Sequence, residues 1–436
     1  MSLTPEENHV KRQLTLALTA GLLVACRDAT PPTGPIVRPN ASKVGAAQQE
    51  YQVTLLDTRA GFCSGAVDLN DHDQVIGWTF PGPSCPPISD ARHAHAFLWE
   101  NGVMQDLGTL GGSESNATDI NEHGQVVGWA ETADGSRHAF FWDKGMLQDL
   151  GAVVGFGWAP IQDKGLRGIY VNKRGQVVGQ RPEGGVFLWE RGAAQMLPLD
   201  RVSAINDAGQ VVGWIFRDVA GRQVRRAAFW DAGTVTEFGT LRSDGGGDSW
   251  AAAISKSGSV IGTMSTDPRG QEPNTTHQAS FRWRGGQLQD LGAPPAGNQP
   301  EFAALLGDDE RVVAVDDGQG QAAVWDNGAW MLFVAPSGFQ TWPTDMNSSG
   351  AIVGSDGSRG AGHAFVWANG VAQLLGDDPC SRAQAINDKR VIAGWTGRCF
   401  APHAQVAVIW VPVQGGGSTG AALGLATRRG GDSNPR

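Results

Sequence analysis

The chain has 436 residues and a formal net charge of −10, with 34 basic against 44 acidic residues. The repeated region described below contains no basic cluster, which argues against a nucleic-acid-binding protein because neutralising phosphate requires such a patch. The composition, with 61 glycines and with 16 tryptophans against 2 tyrosines, indicates a turn-rich β protein. The sequence has no run of about 18 apolar residues, the length that a membrane-spanning helix needs.

Residues 1–25 have the order of an export signal. Lys11 and Arg12 precede a short apolar run, residues 14–24, and the segment closes with the letters LVAC, of which Cys26 is the last. This order resembles the lipobox of bacterial lipoproteins, which implies that Cys26 carries lipid. No aspartate follows the cysteine, so the resemblance implies an outer-membrane or cell-surface anchor. The alternative is an ordinary secretory signal with an incidental cysteine, which gives a periplasmic or extracellular protein.

Two segments outside the repeats are predicted to lack regular structure. Residues 26–50 are rich in proline, alanine and polar residues and suit a flexible tether between the lipid and a folded domain. Residues 414–436 are rich in glycine and serine, show no apolar period and are typical of a disordered tail. The folded domain is therefore expected at residues 51–413.

Residues 120–151 show the repeat unit of this domain, which predicts four short strands. The first ends at residues 120–121, and the others cover 125–130, 138–142 and 146–150. Asn121 to Gly124 suits a tight turn closed by a left-handed glycine, and residues 143–145 repeat the arrangement. Apolar residues follow each other without alternation in the second and third strands, so both faces of the sheet should be covered. Gly128, in mid-strand, should leave room for a neighbouring large ring.

The unit recurs eight times. The turn residues of the copies are Asn70, Asn121, Asn172, Asn206, Ser255, Gly307, Asn347 and Asn387. The third strands contain Trp99, Trp142, Trp189, Trp230, Trp283, Trp325, Trp367 and Trp410. Successive turn residues are 34 to 52 positions apart, close to the length of a four-stranded propeller blade. The sequence therefore predicts a single all-β propeller of eight four-stranded blades.

Three motifs of the repeat also point to a known family. The patterns IN-x-x-GQVVGW, HAF-x-W and DLGTLGG, spread over residues 51–410, resemble the bacterial HAF repeat family of probable extracellular repeat proteins. The resemblance implies an exported β-repeat protein, and it brings no established activity or catalytic residue with it.

The two ends of the array predict how the ring closes. Residues 53–61 align with residues 104–112 at an offset of 51, the same offset that separates Asn70 from Asn121. The array thus begins with an isolated fourth strand, whereas the eighth copy stops after its third strand at Trp410. Completing the last blade with the N-terminal strand would close the ring and pair edges that would otherwise be exposed.

The four cysteines beyond Cys26 predict two disulfides, since an exported chain folds in an oxidising compartment. Cys63 and Cys85 lie on either side of the first hairpin of copy one, and Cys380 and Cys399 on either side of the same hairpin of copy eight. We therefore predict the pairs Cys63–Cys85 and Cys380–Cys399. Free buried thiols, or a bond across the ring closure between Cys63 and Cys399, remain as alternatives.

The repeated polar residues are interpreted as structural. His95, His138, His363 and His403 occupy equivalent places in different blades and cannot converge on a metal unless they line the axis, so each is expected to pair with a polar group of a neighbouring blade. Asp106, Asp149 and Asp290 recur in the same way. The acidic stretches that break the repeat are residues 244–248, 267–277, 308–310 and 316–317. They suit solvated loops, with Ca²⁺ as the alternative.

The chain contains no H-E-x-x-H, Walker or C-x-x-C pattern, and its one G-x-S-x-G match, at residues 416–420, lies in the glycine-rich tail without the strand–turn–helix context of a catalytic serine. We therefore expect no cofactor and no catalytic residue. The favoured function is a monomeric binding module that contacts an unknown glycan or protein through its variable loops, with no nucleic-acid partner and no membrane contact beyond the lipid. The alternative is a polysaccharide-acting lyase or glycosidase whose carboxylates meet at the propeller axis.

Overall fold

The computed structural model describes residues 49–56, 64–80, 93–151, 168–181, 184–266, 277–292, 301–316, 321–333, 336, 340–357, 362–397 and 405–413. It is an eight-bladed β-propeller made of eight four-stranded antiparallel sheets. The predicted fold class and blade number are therefore confirmed. In the part of the chain that is described, no helix has the length and hydropathy needed to cross a membrane.

The strands are numbered in chain order. The first, β1 (Tyr51–Leu55), belongs to the last blade. Blade 1 contains β2 (Ser64–Leu69), β3 (Val75–Thr79), β4 (His95–Glu100) and β5 (Val103–Gly108). Blade 2 contains β6 (Gly111–Ile120), β7 (Val126–Thr132), β8 (Arg137–Asp143) and β9 (Met146–Asp149). Blade 3 contains β10 (Ile169–Val171), β11 (Val177–Gln180), β12 (Val186–Glu190) and β13 (Ala193–Leu197). Blade 4 contains β14 (Arg201–Ile205), β15 (Val211–Val219), β16 (Arg222–Asp231) and β17 (Thr234–Glu237).

The second half of the ring follows the same plan. Blade 5 contains β18 (Ser249–Ile254), β19 (Val260–Thr266), β20 (His277–Arg284) and β21 (Gln287–Gly292). Blade 6 contains β22 (Glu301–Leu306), β23 (Val312–Asp316), β24 (Ala322–Asp326) and β25 (Ala329–Phe333). Blade 7 contains β26 (Thr341–Met346), β27 (Ile352–Asp356), β28 (His363–Ala368) and β29 (Val371–Leu374). Blade 8 contains β30 (Arg382–Ile386), β31 (Ile392–Gly397) and β32 (Gln405–Pro412), and β1 completes it.

The turns of the repeat explain why each unit folds into hairpins. Gly124 has φ 72°, and its amide donates to the carbonyl of Asn121 at 3.0 Å, as expected for a turn closed by a left-handed glycine. The turn between the third and fourth strands differs from this pattern. Lys144 and Gly145 both have positive φ, at 49° and 88°, which is the conformation of a two-residue type I′ hairpin.

The core of the protein lies between adjacent blades. Val126 and Phe140 of blade 2 pack in one cluster with Ile76 and Leu98 of blade 1. Gly128 permits this packing, because a Cβ there would lie 2.9 Å from the ring of Phe140 and 2.0 Å from a strand carbonyl. The second and third strands are buried on both faces, as predicted. The third-strand tryptophans are buried in every blade except blade 5, where Trp283 is half-buried.

The N-terminal strand closes the ring. β1 pairs antiparallel with β32, and the register runs from Tyr51 opposite Pro412 to Leu55 opposite Val408. The amide of Val413 extends this ladder by donating to the carbonyl of Glu50 at 2.8 Å. The predicted closure is confirmed.

The first strand of each blade lies innermost. These strands contact the first strands of both neighbouring blades all the way round the ring. The fourth strands are outermost, and β13 and β1 show the exposed side chains expected of an outer edge.

Candidate functional site

The two faces of the ring carry different kinds of connection. Because first and third strands run in the same direction, the turn after each of them lies on one face, and we call this the turn face; residues 121–125 and 144–145 are examples. The connections from second to third strand and from one blade to the next lie on the opposite face. We call this the loop face, and residues 133–136 and 238–248 belong to it.

Connection length varies on the loop face alone. All eight turns between first and second strands have five residues, and all seven turns between consecutive third and fourth strands have two. Loop-face connections range from two residues, at 109–110, to nineteen, at 150–168. The irregular spacing of the repeats in the sequence therefore originates entirely on this face.

On the turn face, the turn asparagine joins one blade to the next. The Oδ1 of Asn121 accepts the amides of His123 and Gln125 at 3.0 and 3.1 Å. Its Nδ2 donates to the Oε1 of Gln125 at 2.7 Å and to the carbonyl of Asn172, in blade 3, at 2.9 Å. The side chain is 5% exposed, so this fully bonded amide is a buried link between blades.

Six of the eight blade junctions contain this link. The donors and acceptors are Asn70 to Asn121, Asn121 to Asn172, Asn172 to Asn206, Asn206 to Ser255, Asn347 to Asn387, and Asn387 to Asn70. Ser255 and Gly307 stand at the donor position of the other two junctions. Between blades 5 and 6 the hydroxyls of Ser257 and Ser259 instead donate to the Oε1 of Glu310, at 2.8 and 2.9 Å.

Charged side chains gather at the centre of the turn face. They follow the turn residue of each blade and are Asp71, Glu122, Lys173, Asp207, Lys256, Asp308 and Asp388, with Ser348 in blade 7. Burial raises the pKa of Asp388, but hydrogen bonds from Ser348 and the charges of Lys256 and Lys173 outweigh it and hold that pKa below its ordinary value. Since these lysines belong to blades 5 and 3, the side chains converge on the axis.

The acids of this central group bond to neighbouring blades. Asp71 accepts the amide of Asp388 at 2.8 Å, and Asp308 pairs with Lys256 at 2.6 Å. Glu122 and Asp207 likewise accept backbone amides of the preceding blade. Within the described ranges, no group of three or more His, Cys, Asp or Glu side chains is arranged to hold a metal ion. The carboxylates of this central group thus contact neighbouring blades.

The loop face has a different lining. Six tryptophans lie at one register position near the loop-face end of the two inner strands, and all six are half-buried: Trp78, Trp129, Trp214, Trp250, Trp342 and Trp395. Their cross-strand partners are, in the same order, Gly65, Asn116, Arg201, Thr263, Ser355 and Arg382. Each pair thus combines an indole with a small, polar or basic residue.

Guanidinium groups cover several of these indoles. The guanidinium of Arg137 lies 4.3 Å from the ring centroid of Trp129, and its Nη2 is 2.6 Å from the Oε2 of Glu114. Arg225 lies 5.0 Å from the Trp250 ring and 5.9 Å from the Trp214 ring. These are cation–π distances, so this part of the loop face is both aromatic and basic.

The predicted histidine contacts occur within a blade, so the expectation of a partner in a neighbouring blade was wrong. The Nδ1 of His138 lies 2.9 Å from both carboxylate oxygens of Asp149, and His95 contacts Asp106 at 2.8 Å. The third and fourth strands are hydrogen-bonded neighbours, so the histidine at the start of one faces the aspartate at the end of the other. His363 instead contacts Asp356 of its second strand, at 3.3 Å. His403 lies outside the described residues.

Arginine side chains from outside the acidic loop 244–248 donate hydrogen bonds to it. Asp244 accepts from Arg242, Asp248 accepts from Arg225, and the carbonyls of Gly245 and Gly247 accept from Arg226. A Ca²⁺ ion needs six to eight oxygen ligands, and these oxygens already bond to cations, so the loop does not fit the calcium alternative.

The other acidic stretches have varied positions. Asp309 pairs with Arg311 at 3.3 Å, and Glu310 bonds to two serines as described above. Asp290 accepts the amide of Gly292 at 2.7 Å. Residues 267–276 and Asp317 lie outside the described residues.

Of the five cysteines, Cys380 lies within the described residues. Cys380 is buried, with 5% exposure. Cys26, Cys63, Cys85 and Cys399 lie outside the described residues, so the lipid site and both disulfide pairs stay predictions.

Two features of the site escaped the sequence reasoning. Aligning the residue after each turn asparagine would have revealed the mixed acids and lysines of the central group. Aligning the GW position of the second strands would have revealed the tryptophans of blades 1, 2, 4 and 8. Trp250 and Trp342 lie on first strands instead, and only the sheet register brings them to the same place.

No protein-family model and no curated protein matches this chain. Solved structures match it at low identity. The virginiamycin B lyase of Staphylococcus aureus is 11% identical over 84% of this chain and 100% of its own, with a TM-score of 0.42. YCF48 bound to a D1 peptide is 11% identical over 86% and 98%, with a TM-score of 0.43. TolB from Acinetobacter baumannii is 11% identical over 69% and 62%, with a TM-score of 0.34. At these values the matches say nothing about activity or ligand.

Proposed function

We propose that this protein is an exported, lipid-anchored binding scaffold that holds a glycan or protein ligand on its loop face. The observation that carries the proposal is the contrast between the two faces. On the turn face, all eight turns between first and second strands have one length and all seven turns between third and fourth strands have another, and the polar groups of this face join blades. All length variation lies on the loop face, where ligand-contacting residues can differ without disturbing the ring.

The position of the chain ends supports a displayed loop face. β1 begins and β32 ends at the turn face, where the amide of Val413 bonds to the carbonyl of Glu50. A tether from a lipid on Cys26 therefore joins the ring at the turn face. This attachment favours orientations in which the loop face points away from the membrane.

The alternative of a polysaccharide-acting enzyme has less support. It requires a pair of carboxylates free to act as acid and base or nucleophile. The acids nearest the axis bond to backbone amides or lysines of neighbouring blades, which supports a structural role for them. We therefore favour binding, at the cell envelope, with the HAF-type repeat as the scaffold.

A glycan array probed with the full-length protein in detergent tests the binding proposal, followed by hydrogen-exchange mapping with the strongest glycan. Protection is expected at residues 133–136 and 238–248 of the loop face. The turns at 121–125 and 144–145 should exchange as in the free protein. Protection restricted to those turns would place the ligand on the wrong face and refute the proposal.

Metabolic labelling tests the lipid anchor independently. Cells grown with labelled palmitate should label the wild-type protein and leave Cys26→Ala unlabelled. Equal labelling of the two proteins would exclude Cys26 as the lipid site.

A further inference from the structure

We propose that the loop face of blades 4 and 5 carries a binding site for an acidic glycan, meaning a chain of sugars that bear carboxylate or sulfate groups. The inference rests on the proposed binding function and names its ligand class. The site consists of Arg201, Trp214, Phe216, Arg225 and Trp250, which we call the arginine–indole cluster.

The sheet register brings four members of the cluster together. Arg201 is the cross-strand partner of Trp214, and Phe216 is the partner of Arg225. Trp214 and Phe216 are two residues apart on β15 and therefore share a face of the sheet. Trp250, from β18, completes the cluster through its contact with Arg225.

The aromatic members form a firm apolar surface. The rings of Trp214 and Phe216 meet edge to face, with centroids 5.0 Å apart and an interplanar angle of 84°. Phe216 is 40% exposed, which is unusual for a large apolar side chain fixed in a strand. Sugar rings present C–H faces that pack on such surfaces by dispersion and loss of apolar area.

The basic members supply charge for an anion. Asp248 fixes Arg225, accepting its amide at 2.9 Å and its Nη2 at 3.1 Å, yet the side chain of Arg225 is 42% exposed. Arg201 lies 5.9 Å from the Trp214 ring and makes no ion pair within the described part of the chain. Guanidinium groups bind carboxylate and sulfate through paired N–H donors.

The acids around the cluster are already bonded. Asp248 bonds to Arg225, Asp244 bonds to Arg242, and Asp200 accepts the amide of Phe216 at 2.6 Å. Arg226 adds a further positive charge, its donors directed to glycine carbonyls. Among the described residues around the cluster, four arginines thus accompany three bonded aspartates, which leaves an excess of one positive charge in a protein of net charge −10. The extent of positive charge is too small for a nucleic-acid surface, and the aromatic members favour a sugar over an acidic peptide.

Binding of oligogalacturonate to the full-length protein, measured by calorimetry, tests the site. Its methyl ester is the neutral control, and polyglutamate is the acidic peptide control. We expect the free acid to bind at least about tenfold more tightly than the ester, and salt to weaken that binding. Arg201→Gln should cost about tenfold or more, and Phe216→Ala should weaken the free acid and the ester alike. Arg174→Gln, on the turn face, should leave the affinity unchanged.

Several results would overturn the inference. Equal binding of ester and acid, or no effect of Arg201→Gln, would exclude an acidic-glycan site while leaving a loop-face binding scaffold possible. Equal binding of polyglutamate would exclude a glycan site. Absence of oligogalacturonate binding, with sulfated oligosaccharides also inactive, would exclude the ligand class. Loss of glycan binding in Arg174→Gln, with Arg201→Gln unaffected, would refute the proposed function itself.

Discussion

Gln125 and Gly175 are complementary across the junction between blades 2 and 3. A Cβ on Gly175 would lie 2.9 Å from the Oε1 of Gln125, and the φ of Gly175 is 73°. The long side chain of one blade therefore fills the space that a side chain of the next blade would need.

The same complementarity holds at all eight junctions. A long residue is followed in the next blade by glycine in the pairs Gln74–Gly124, Gln125–Gly175, Gln176–Gly209, Gln210–Gly258 and Arg311–Gly350. A short residue is followed by one with a side chain in the pairs Ser259–Glu310, Ala351–Arg390 and Val391–Asp73. Glu310, Arg390 and Asp73 adopt φ of 67°, 65° and 62°, so the turn keeps its glycine-like conformation even where the residue is larger.

This relationship predicts strong coupling between the paired positions. Gly175→Glu alone should destabilise the protein by about 2–4 kcal/mol, because it adds a strained left-handed residue and crowds Gln125. The double variant with Gly175→Glu and Gln125→Ser reproduces the Ser259–Glu310 arrangement. Its loss of stability should be smaller than the sum of the two single losses by at least about 1 kcal/mol. Denaturant unfolding of the four proteins measures this term, and additive losses would disprove the coupling.

Asn121→Ala should cost about 2–4 kcal/mol of stability. The change removes a buried amide with four hydrogen bonds and leaves the carbonyl of Asn172 without that donor. His123→Ala is the matched control, since His123 is exposed and in the same turn, and it should stay within about 0.5 kcal/mol of wild type. Similar losses in both variants would mean that the asparagine acts only through turn propensity.

Removing residues 1–56 should open the ring. The edge of β32 would lose its partner strand, and exposed edges of this kind promote association. We expect aggregation or a broad melt in size-exclusion and calorimetric measurements. Removal of residues 1–48 is the control and should leave a monomer with the full-length melting temperature. If the longer deletion also gave that result, β1 would not be needed for closure.

Asp248 should stabilise the protein at neutral pH and lose this effect in acid. Burial raises its pKa, but hydrogen bonds and charge from Arg225 outweigh burial and place the folded-state pKa below the ordinary value. The stabilisation is therefore present above the unfolded-state pKa and disappears as pH falls through the folded-state pKa. Wild type should exceed Asp248→Asn by about 1 kcal/mol at pH 7, a figure reduced for partial exposure, with the difference shrinking below about pH 4. The difference should vanish in an Arg225→Gln background; its persistence there would point to another cause.

Non-reducing peptide mapping should recover the pairs Cys63–Cys85 and Cys380–Cys399. Each bond would close a loop of about twenty residues, worth roughly 3 kcal/mol in the chain-entropy model. The two pairs would lie in blades 1 and 8, which are adjacent in the ring and are joined by the connection from β1 to β2. A peptide that joins Cys63 to Cys380 or Cys399 would contradict this pairing.

Patterns that recur in every repeat allowed most of the fold to be predicted. The turn glycine and apolar strands located the hairpins of blade 2 to within two residues, since the predicted 125–130 and 138–142 became β7 (Val126–Thr132) and β8 (Arg137–Asp143). The offset between residues 53–61 and 104–112 predicted the closing strand. These features are local or repeated, so a single sequence contains them several times.

Features that depend on the arrangement of blades could not be predicted in the same way. The pairing of His138 with Asp149 of its own blade depends on the register of β8 and β9, which the repeat pattern does not reveal. The role of Asn121 as a link between blades depends on how far one blade is rotated from the next. Trp250 and Trp214 come from different strands of different blades, so no spacing in the sequence reveals that they share Arg225.

The adjacent positions of Glu50 and Val413 have a consequence for circular permutation. A short linker between these residues would replace the present chain break, and new ends could be placed in the two-residue turn at Lys144 and Gly145, where both φ angles suit a hairpin tip. The permuted chain would build the same ring with its break moved to blade 2. Circular permutation would therefore change which blade contains both chain ends. It would leave the residue contacts at all eight blade junctions unchanged.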